Sequence, residues 1–424
     1  MSDFTAVRAM PAGPVPGSVP GSGPGGRMRW FGAPAVDWLV AAVAAGTGLL
    51  TPTLPLNLAP VDPLILLVNV LAFAYVVSGR RTRATRLLAT AAPWFWLFLI
   101  SSFLSLFGVG LAPWAIDNLL RDMSAILTCF TFLILLGTSD TSARKAQAAI
   151  CATGVLVALT VWLFGGGDTL RLTGATFSNP NYTGHFLATA LLLAVAGQWP
   201  RSRGRRTLLV VLYALAITRT GSFGALLILG GALGYSVWRS VGSLRSYLRT
   251  ATRLALILLL LTGLGIAAHQ VVGEKFDAGA GFSSERLGRS GDTRLAIWHA
   301  GLSTVDDHPL GAGPGSAAAL SLTSTDADSI GHGTELHSDP LGLLVENGIL
   351  GLVAVIAIAA VLWRAVPPGG ITRTLMFGLG VGSFVRETIN FRHLWVAIAI
   401  AVALDWKRRD QAAERVAGER VAGP

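Results

Sequence analysis

The stretch TLLVVLYALAITRTGSFGALLILGGALGYSVW, Thr207 to Trp238, decides how the chain is built. Its only charged residue is Arg219, in the short polar run Thr218-Arg219-Thr220-Gly221. Between Arg206 and Arg219 lie 12 residues, which rise roughly 18 Å as a helix. That falls short of the ~30 Å hydrocarbon core of a bilayer. Read as one long helix, the stretch would carry Arg239 to the opposite side and reverse every later loop against the charge distribution. Two helices meeting at Thr218–Gly221 keep that distribution and sink the turn below the membrane surface. A charge at such depth costs ~3 kcal/mol or more unless partnered, so Arg219 is expected to serve a function.

The rest of the chain has the same character. Of 424 residues, 52% are hydrophobic and 13% charged, where soluble domains carry about 25% charged residues; the mean hydropathy is +0.59. This excludes an ordinary soluble enzyme. Cys129 and Cys151 are the only cysteines, both in apolar runs and without a CxxC, which excludes a disulfide scaffold and a thiolate metal centre. The net charge of +10 needs no nucleic-acid partner, because membrane proteins concentrate Arg and Lys in cytoplasmic segments.

The expected fold is all-α and polytopic, with about twelve spans: 36–53, 60–78, 90–111, 117–137, 146–166, 182–198, 206–219, 221–239, 254–273, 340–364, 370–388 and 390–405. With both termini cytoplasmic, roughly three quarters of the Arg and Lys residues fall in inner segments, as the positive-inside rule requires. Residues 1–35 form a Pro/Gly-rich tail with too little apolar content to order itself. Residues 36–405 form the membrane domain, and 406–424 a basic cytoplasmic tail. One outer segment, 274–339, is long enough to be functional in its own right.

Two features of that segment suggest chemistry. Leu295, Trp298, Leu302 and Val305 recur at helical spacing, so 292–305 reads as an amphipathic surface helix with Arg294 and Trp298 on one face. HPLGAGPGS, His308 to Ser316, follows, and its backbone amides suit an anion site. At the far end, ELHSDPLG puts His337 at the outer mouth of the tenth span; Ser338 or Asp339 serves as its cap and Pro340 as its first turn. Histidine can accept a proton near neutral pH. Arg171, Arg219, Arg294, Arg386 and Arg392 all face outward, which suits a phosphate-bearing ligand. The bland reading of Arg386 is an ion pair with Glu387, and of Asp117 a pair with Arg121. The acidic loop residues Asp306-Asp307-His308 and Asp326-Ala327-Asp328 read as solvated rather than metal-binding.

Four segments in order resemble the O-antigen ligase and O-antigen polymerase superfamily. HSDPLGLLVENGILG resembles its signature through His337, Ser338, Leu341, Glu346, Gly348 and Gly351; TRLAIWHAGLSTVDDHPLGAGPGS, GATFSNPNYTGHF and ITRTGSFGALL resemble three further blocks. The resemblance covers roughly residues 170–405 and implies a glycosyltransferase of the cytoplasmic membrane, working on its outer side. The donor would be a glycan on a polyprenyl diphosphate, and the acceptor a glycan, lipid or protein. It further implies Arg219 and Arg294 as diphosphate ligands and His337 as the base, with Arg171, Asn181, Trp298, Arg392 and His393 as substrate contacts. No metal and no cofactor are expected. Ligase and polymerase share this chemistry, and the ligase is the first reading. A twelve-span secondary transporter is the alternative from another class. Transporters carry half-to-half repeats and midplane charges, and this sequence shows neither.

Overall fold

The computed structural model describes residues 33–48, 61–109, 112–139, 141–163, 177, 179–240, 284–316, 336–386 and 388–422. These residues are helical, with no strand among them. The helices are α1 (Ala33–Gly46), α2 (Asp62–Val77), α3 (Arg83–Val109), α4 (Pro113–Leu136), α5 (Ser142–Leu163), α6 (Pro180–Ala196), α7 (Arg203–Thr220), α8 (Phe223–Ser240), α9 (Ser284–Asp307), α10 (Asp339–Arg364), α11 (Ile371–Ser383) and α12 (Arg392–Ala422). Eleven of the expected spans correspond to described helices; the ninth, 254–273, lies outside the described residues. Among the described residues four helices, α3, α4, α5 and α10, are long and apolar enough to cross a membrane, and α1, α2 and α8 are shorter apolar helices.

Local sequence accounts for the boundaries. Proline stands in the first turn of α2, α4, α6 and α10, where its missing N–H costs nothing. Asn179 caps α6 by accepting from the Asn181 amide at 2.8 Å. α7 ends at Gly221, whose φ of 59° is the left-handed cap that glycine adopts without strain. The two-helix reading of 207–238 therefore holds, with the break where the sequence puts it. Two boundaries differ from expectation. α1 begins at Ala33, inside the segment read as tail. α12 runs past residue 406 to Ala422 without a break, because Gln411-Ala412-Ala413-Glu414-Arg415 are helix formers.

α3 packs on α10, α8 on α11, α1 on α5 and α4 on α12, around one continuous apolar core. Leu66, Val70, Phe73 and Val77 of α2 and Trp96, Ile100, Phe103 and Phe107 of α3 form exposed apolar stripes at helical spacing. Water would penalise such faces; lipid accepts them.

The helix ends meet as the charge pattern groups them. On one side, Asp37 of α1 accepts from Thr141, Ser142 and Lys145 at the start of α5. Arg83 of α3 pairs with Asp410 of α12, Lys407 reaches Ser139 O after α4, and Arg408 reaches Ala196 O at the end of α6. Asp405 of α12 accepts the Ile371 and Thr372 amides at the start of α11, each at 2.9 Å. On the other side, the starts of α2, α6, α10 and α12 meet the ends of α5, α7 and α11.

Candidate functional site

The centre of that second side is the short link into α10. His337 is one of two described non-glycine residues with positive φ, at 54°. Such a backbone is disfavoured for a side chain with a Cβ, though histidine is among the residues enriched there. Strain of this kind, of order 1–3 kcal/mol, persists where surrounding structure enforces it and clusters at functional sites. Two contacts enforce it here. Trp298 Nε1 donates to Leu336 O at 2.9 Å, tying α9 to the residue before His337. Asp339, two residues on, is buried and accepts the Thr388 amide at 2.6 Å, the Ile389 amide at 3.0 Å and the Thr388 hydroxyl. Ser338 occupies the cap position of α10, but its side chain makes no capping bond. Asp339, the other candidate cap, turns to the 388–389 link instead.

That link carries Arg386 into the site. Arg386 is 3% exposed. Its Nη1 lies 3.3 Å from His337 Nδ1, and its guanidinium sits 4.8 Å from the ring centroid of Tyr182, in the first turn of α6. A stacked guanidinium gains from the ring quadrupole, the more so when desolvated. Arg294 of α9 is close enough that burial, and then the Arg386 charge, push its guanidinium below its ordinary value; it remains a cation. Two guanidiniums thus act on one another near a histidine, with the Asp339 carboxylate beside them; paired guanidiniums are the groups that bind oxyanions.

α9 differs in its packing face from the sequence reading. Ile297, with Val305, packs against Leu336, Leu341 and Val345, and Gly301 faces the same three side chains. Leu295 and Leu302 are instead 55% and 50% exposed. The helix has two apolar sides, one against α10 and one outward, so a single-stripe reading merged them.

The Gly-rich stretch also does something other than expected. α10 is broken at Gly348, with φ 65° and ψ −174°, which interrupts the helical ladder. The Ala312 amide donates to Val345 O at 2.7 Å and the Gly313 amide to Glu346 O at 3.0 Å. Ser101 of α3 donates to Asn347 O, and Ser102 to Asn347 Oδ1 at 2.7 Å. Three successive carbonyls at the break are thus satisfied from outside the helix, as buried carbonyls must be. A Cβ on Gly311 would lie 2.5 Å from Glu346 O, and one on Gly348 2.6 Å from the Leu310 carbonyl carbon. The amides of 312 and 313 are committed to α10 and are not an anion cradle. Beneath this junction Asn118 and Asp122 of α4, Asp339, Gly342, Leu343 and Glu346 of α10, and Ile389 and Asn390 line a cavity of about 50 Å³, room for a water.

The remaining expected residues spread over the same side. Arg219 ends α7 with its guanidinium 5.0 Å from the Trp162 ring centroid on α5. Asn181 lies in the first turn of α6, beside Tyr182. Arg392 is engaged by an ion pair: its Nε is 3.0 Å from Asp62 of α2. His393 is fully buried among Phe177, Phe186 and Phe391, so it offers no surface to a substrate in this structure. His185 of α6 is equally buried, and neither ring has a hydrogen-bond partner among the described residues. Asp117 and Arg121 form the expected i,i+4 pair at 2.6 Å. Arg171, Asp326, Asp328 and the partner expected for Arg386, Glu387, lie outside the described residues. Among the described residues no three His, Cys, Asp or Glu side chains group as metal ligands. Arg386 belongs to the outward Arg set read from the sequence, where an ion pair with Glu387 was weighed against a ligand role; its contact with His337 is what the sequence did not show.

Comparison with known families gives one match: residues 208–356 fit the family model described as O-antigen ligase. The match runs from α7 to the middle of α10. It takes in Arg219, Arg294, Trp298, the Gly-rich stretch and His337, and it supports the superfamily resemblance carried by the motifs. No curated protein matches the chain.

Proposed function

We propose that the chain is an O-antigen ligase-like membrane glycosyltransferase that moves a glycan from a polyprenyl diphosphate to an acceptor on the outer side of the cytoplasmic membrane. The observation that carries this reading is the pairing of the buried Arg386 guanidinium with His337, with Arg294 close by. Arg219 lies at the end of α7 on the same side of the bundle. In the reaction the acceptor hydroxyl oxygen attacks the anomeric carbon, and the bond from that carbon to the diphosphate breaks. The electron pair goes to the diphosphate, which also takes up the hydroxyl proton, and a single displacement inverts the anomeric centre. Fixed cations lower the barrier by meeting the charge that grows on the leaving group. Arg219 and Arg294 serve that purpose, Arg386 holds His337, and His337 acts where the hydroxyl and the leaving oxygen meet. The exposed apolar faces of α2 and α3 supply the lipid contact that a polyprenyl-anchored donor requires.

The test is transfer by the purified protein in vesicles holding a polyprenyl-diphosphate-linked glycan. The expected result is glycan transfer that is lost in Arg219→Ala and Arg294→Ala while both variants stay folded. Unchanged transfer in both would overturn the reading. Glycan analysis of a deletion strain then separates the two members of the class. Full-length lipid-linked glycan accumulates if the chain is a ligase, and single units accumulate if it is a polymerase.

A further inference from the structure

The contact between Arg386 and His337 constrains where the imidazole proton sits. A guanidinium has five N–H donors and no acceptor, and it stays protonated. At 3.3 Å from Nδ1, Arg386 therefore donates and Nδ1 accepts. A neutral imidazole holds one proton, and Nδ1 contributes its lone pair to Arg386, so that proton is on Nε2. We infer that Arg386 fixes His337 as the Nε2–H tautomer, and that His337 serves as a hydrogen-bond donor to the departing diphosphate rather than as the base for the acceptor hydroxyl. This rests on the reading of the chain as a polyprenyl-diphosphate glycosyltransferase.

Both partners are held in place. Arg386 is almost fully buried, lies over the Tyr182 ring, and is followed by Thr388 and Ile389, which are fastened to Asp339. Asp339 is itself two residues from His337, so one carboxylate anchors both ends of the pair. The left-handed backbone at His337 sets the direction in which its side chain leaves. Protonating Nδ1 would require displacing Arg386 from this seat. Among the described residues, the charged and titratable groups that act on Arg386 include Arg294 on α9, Asp339 on α10, and Tyr182 and His185 on α6. The nearest carboxylate in sequence, Asp339, directs its oxygens to Thr388 and Ile389.

The displacement balances without a histidine base. The acceptor oxygen–carbon bond forms, the carbon–diphosphate oxygen bond breaks, and its electron pair goes to the diphosphate. The hydroxyl proton ends on that same diphosphate. Nε2–H of His337, with the guanidiniums, meets the charge on the leaving oxygens while it develops. His337 is then a catalytic residue, and Arg386 a positioning residue acting through it.

The side-chain amide of glutamine carries an N–H close to where Nε2–H of histidine sits, and it cannot act as a base near neutral pH. In the vesicle assay His337→Gln is expected to keep transfer within about tenfold of the unmodified protein, whereas His337→Ala falls by about 10²–10³, the usual effect of removing one such donor. The pH profiles of His337→Gln and the unmodified protein should superimpose between pH 5 and 8. A His337→Gln variant as inactive as His337→Ala, together with an acid-side loss seen only in the unmodified protein, would overturn the inference in favour of a histidine base. ¹⁵N NMR on histidine-labelled protein reads the tautomer independently of activity, with the His337 signals assigned by their loss in His337→Gln. Nδ1 is expected to be unprotonated in the unmodified protein and partly protonated in Arg386→Met. Protonated Nδ1 in the unmodified protein overturns the inference directly. Absence of transfer from every form, with Nδ1 unprotonated, counts against the proposed activity and leaves the tautomer standing.

Discussion

Asp339 and Thr388 are joined twice, the Thr388 amide donating to Oδ1 at 2.6 Å and its hydroxyl to Oδ2. Asp339 opens α10, and Thr388 lies in the link leading into α12. Their union holds the link carrying Arg386 against the residue that Arg386 contacts.

Removing the carboxylate should therefore disturb the site as well as the fold. Asp339→Ala leaves the amides of Thr388 and Ile389 without their acceptor, and each buried unsatisfied donor costs about 1–3 kcal/mol. Thermal unfolding in detergent should show a lower midpoint, and glycan transfer should fall further than the stability loss explains. Asp339→Asn keeps one acceptor oxygen and should lie between. Full transfer in Asp339→Ala would show that Arg386 keeps its position without the clamp.

Arg219 should respond differently from His337. Arg219→Ala is expected to lose affinity for the polyprenyl-diphosphate donor, measured by binding to donor-containing vesicles. Arg219→Lys should rescue poorly, since an ammonium reproduces neither the bidentate fork nor the planar stacking of a guanidinium. Trp162→Ala should weaken binding less than Arg219→Ala, because it removes the support of the guanidinium and not its charge. Near-normal donor binding by Arg219→Ala would reduce Arg219 to a structural turn residue.

The junction at Gly348 makes a stability prediction. Gly348→Ala puts a side chain at φ 65° and into the Leu310 backbone. The backbone conformation alone costs about 1–3 kcal/mol, and backbone does not yield as a flexible side chain does. Gly348→Ala and Gly311→Ala should both lower the yield of folded protein in detergent, measured by size-exclusion profile and unfolding midpoint. Gly380→Ala, where a Cβ meets nothing within 4 Å, is the control and should be tolerated.

The orientation of the bundle is tested by labelling. Single cysteines at Ser284 and Ser321 are expected to react with a membrane-impermeant thiol reagent in intact cells once any outer barrier is permeabilised. Cysteines at Ser243 and Thr82 are expected to stay protected. The reverse pattern would invert the charge-based topology.

Much of the helical plan was legible because lipid imposes a simple rule: a span is an apolar run of fixed length. The break at Gly221 was legible for the same reason, since twelve residues cannot cross. His337 and Arg294–Trp298 stood out through local spacing. The role of Arg386 did not. Its neighbour Glu387 offers an easy partner in sequence, while His337 lies 49 residues away and becomes adjacent only when α10 and α11 pack. The break in α10 was not read either: the turn dipeptide Asn347-Gly348 is flanked by the apolar runs Leu343–Val345 and Ile349–Leu352, and the loop that fills the break comes from residues 311–313. The buried rings of His185 and His393 were hidden as well, since a histidine in an apolar run gives no sign of whether it faces a ligand or phenylalanines.

The way the 311–313 backbone is seated on Val345 and Glu346 also sets how this region tolerates changes in length. Each donor meets one acceptor in register, as in a β ladder, although there is no strand among the described residues. A residue inserted between His308 and Ala312 shifts both amides past their carbonyls and offers a Cβ where glycine is needed at 311. The same insertion at the exposed end of α12, after Arg415, meets no such register. Length is thus held fixed in a buried loop and left free at the exposed end of a helix.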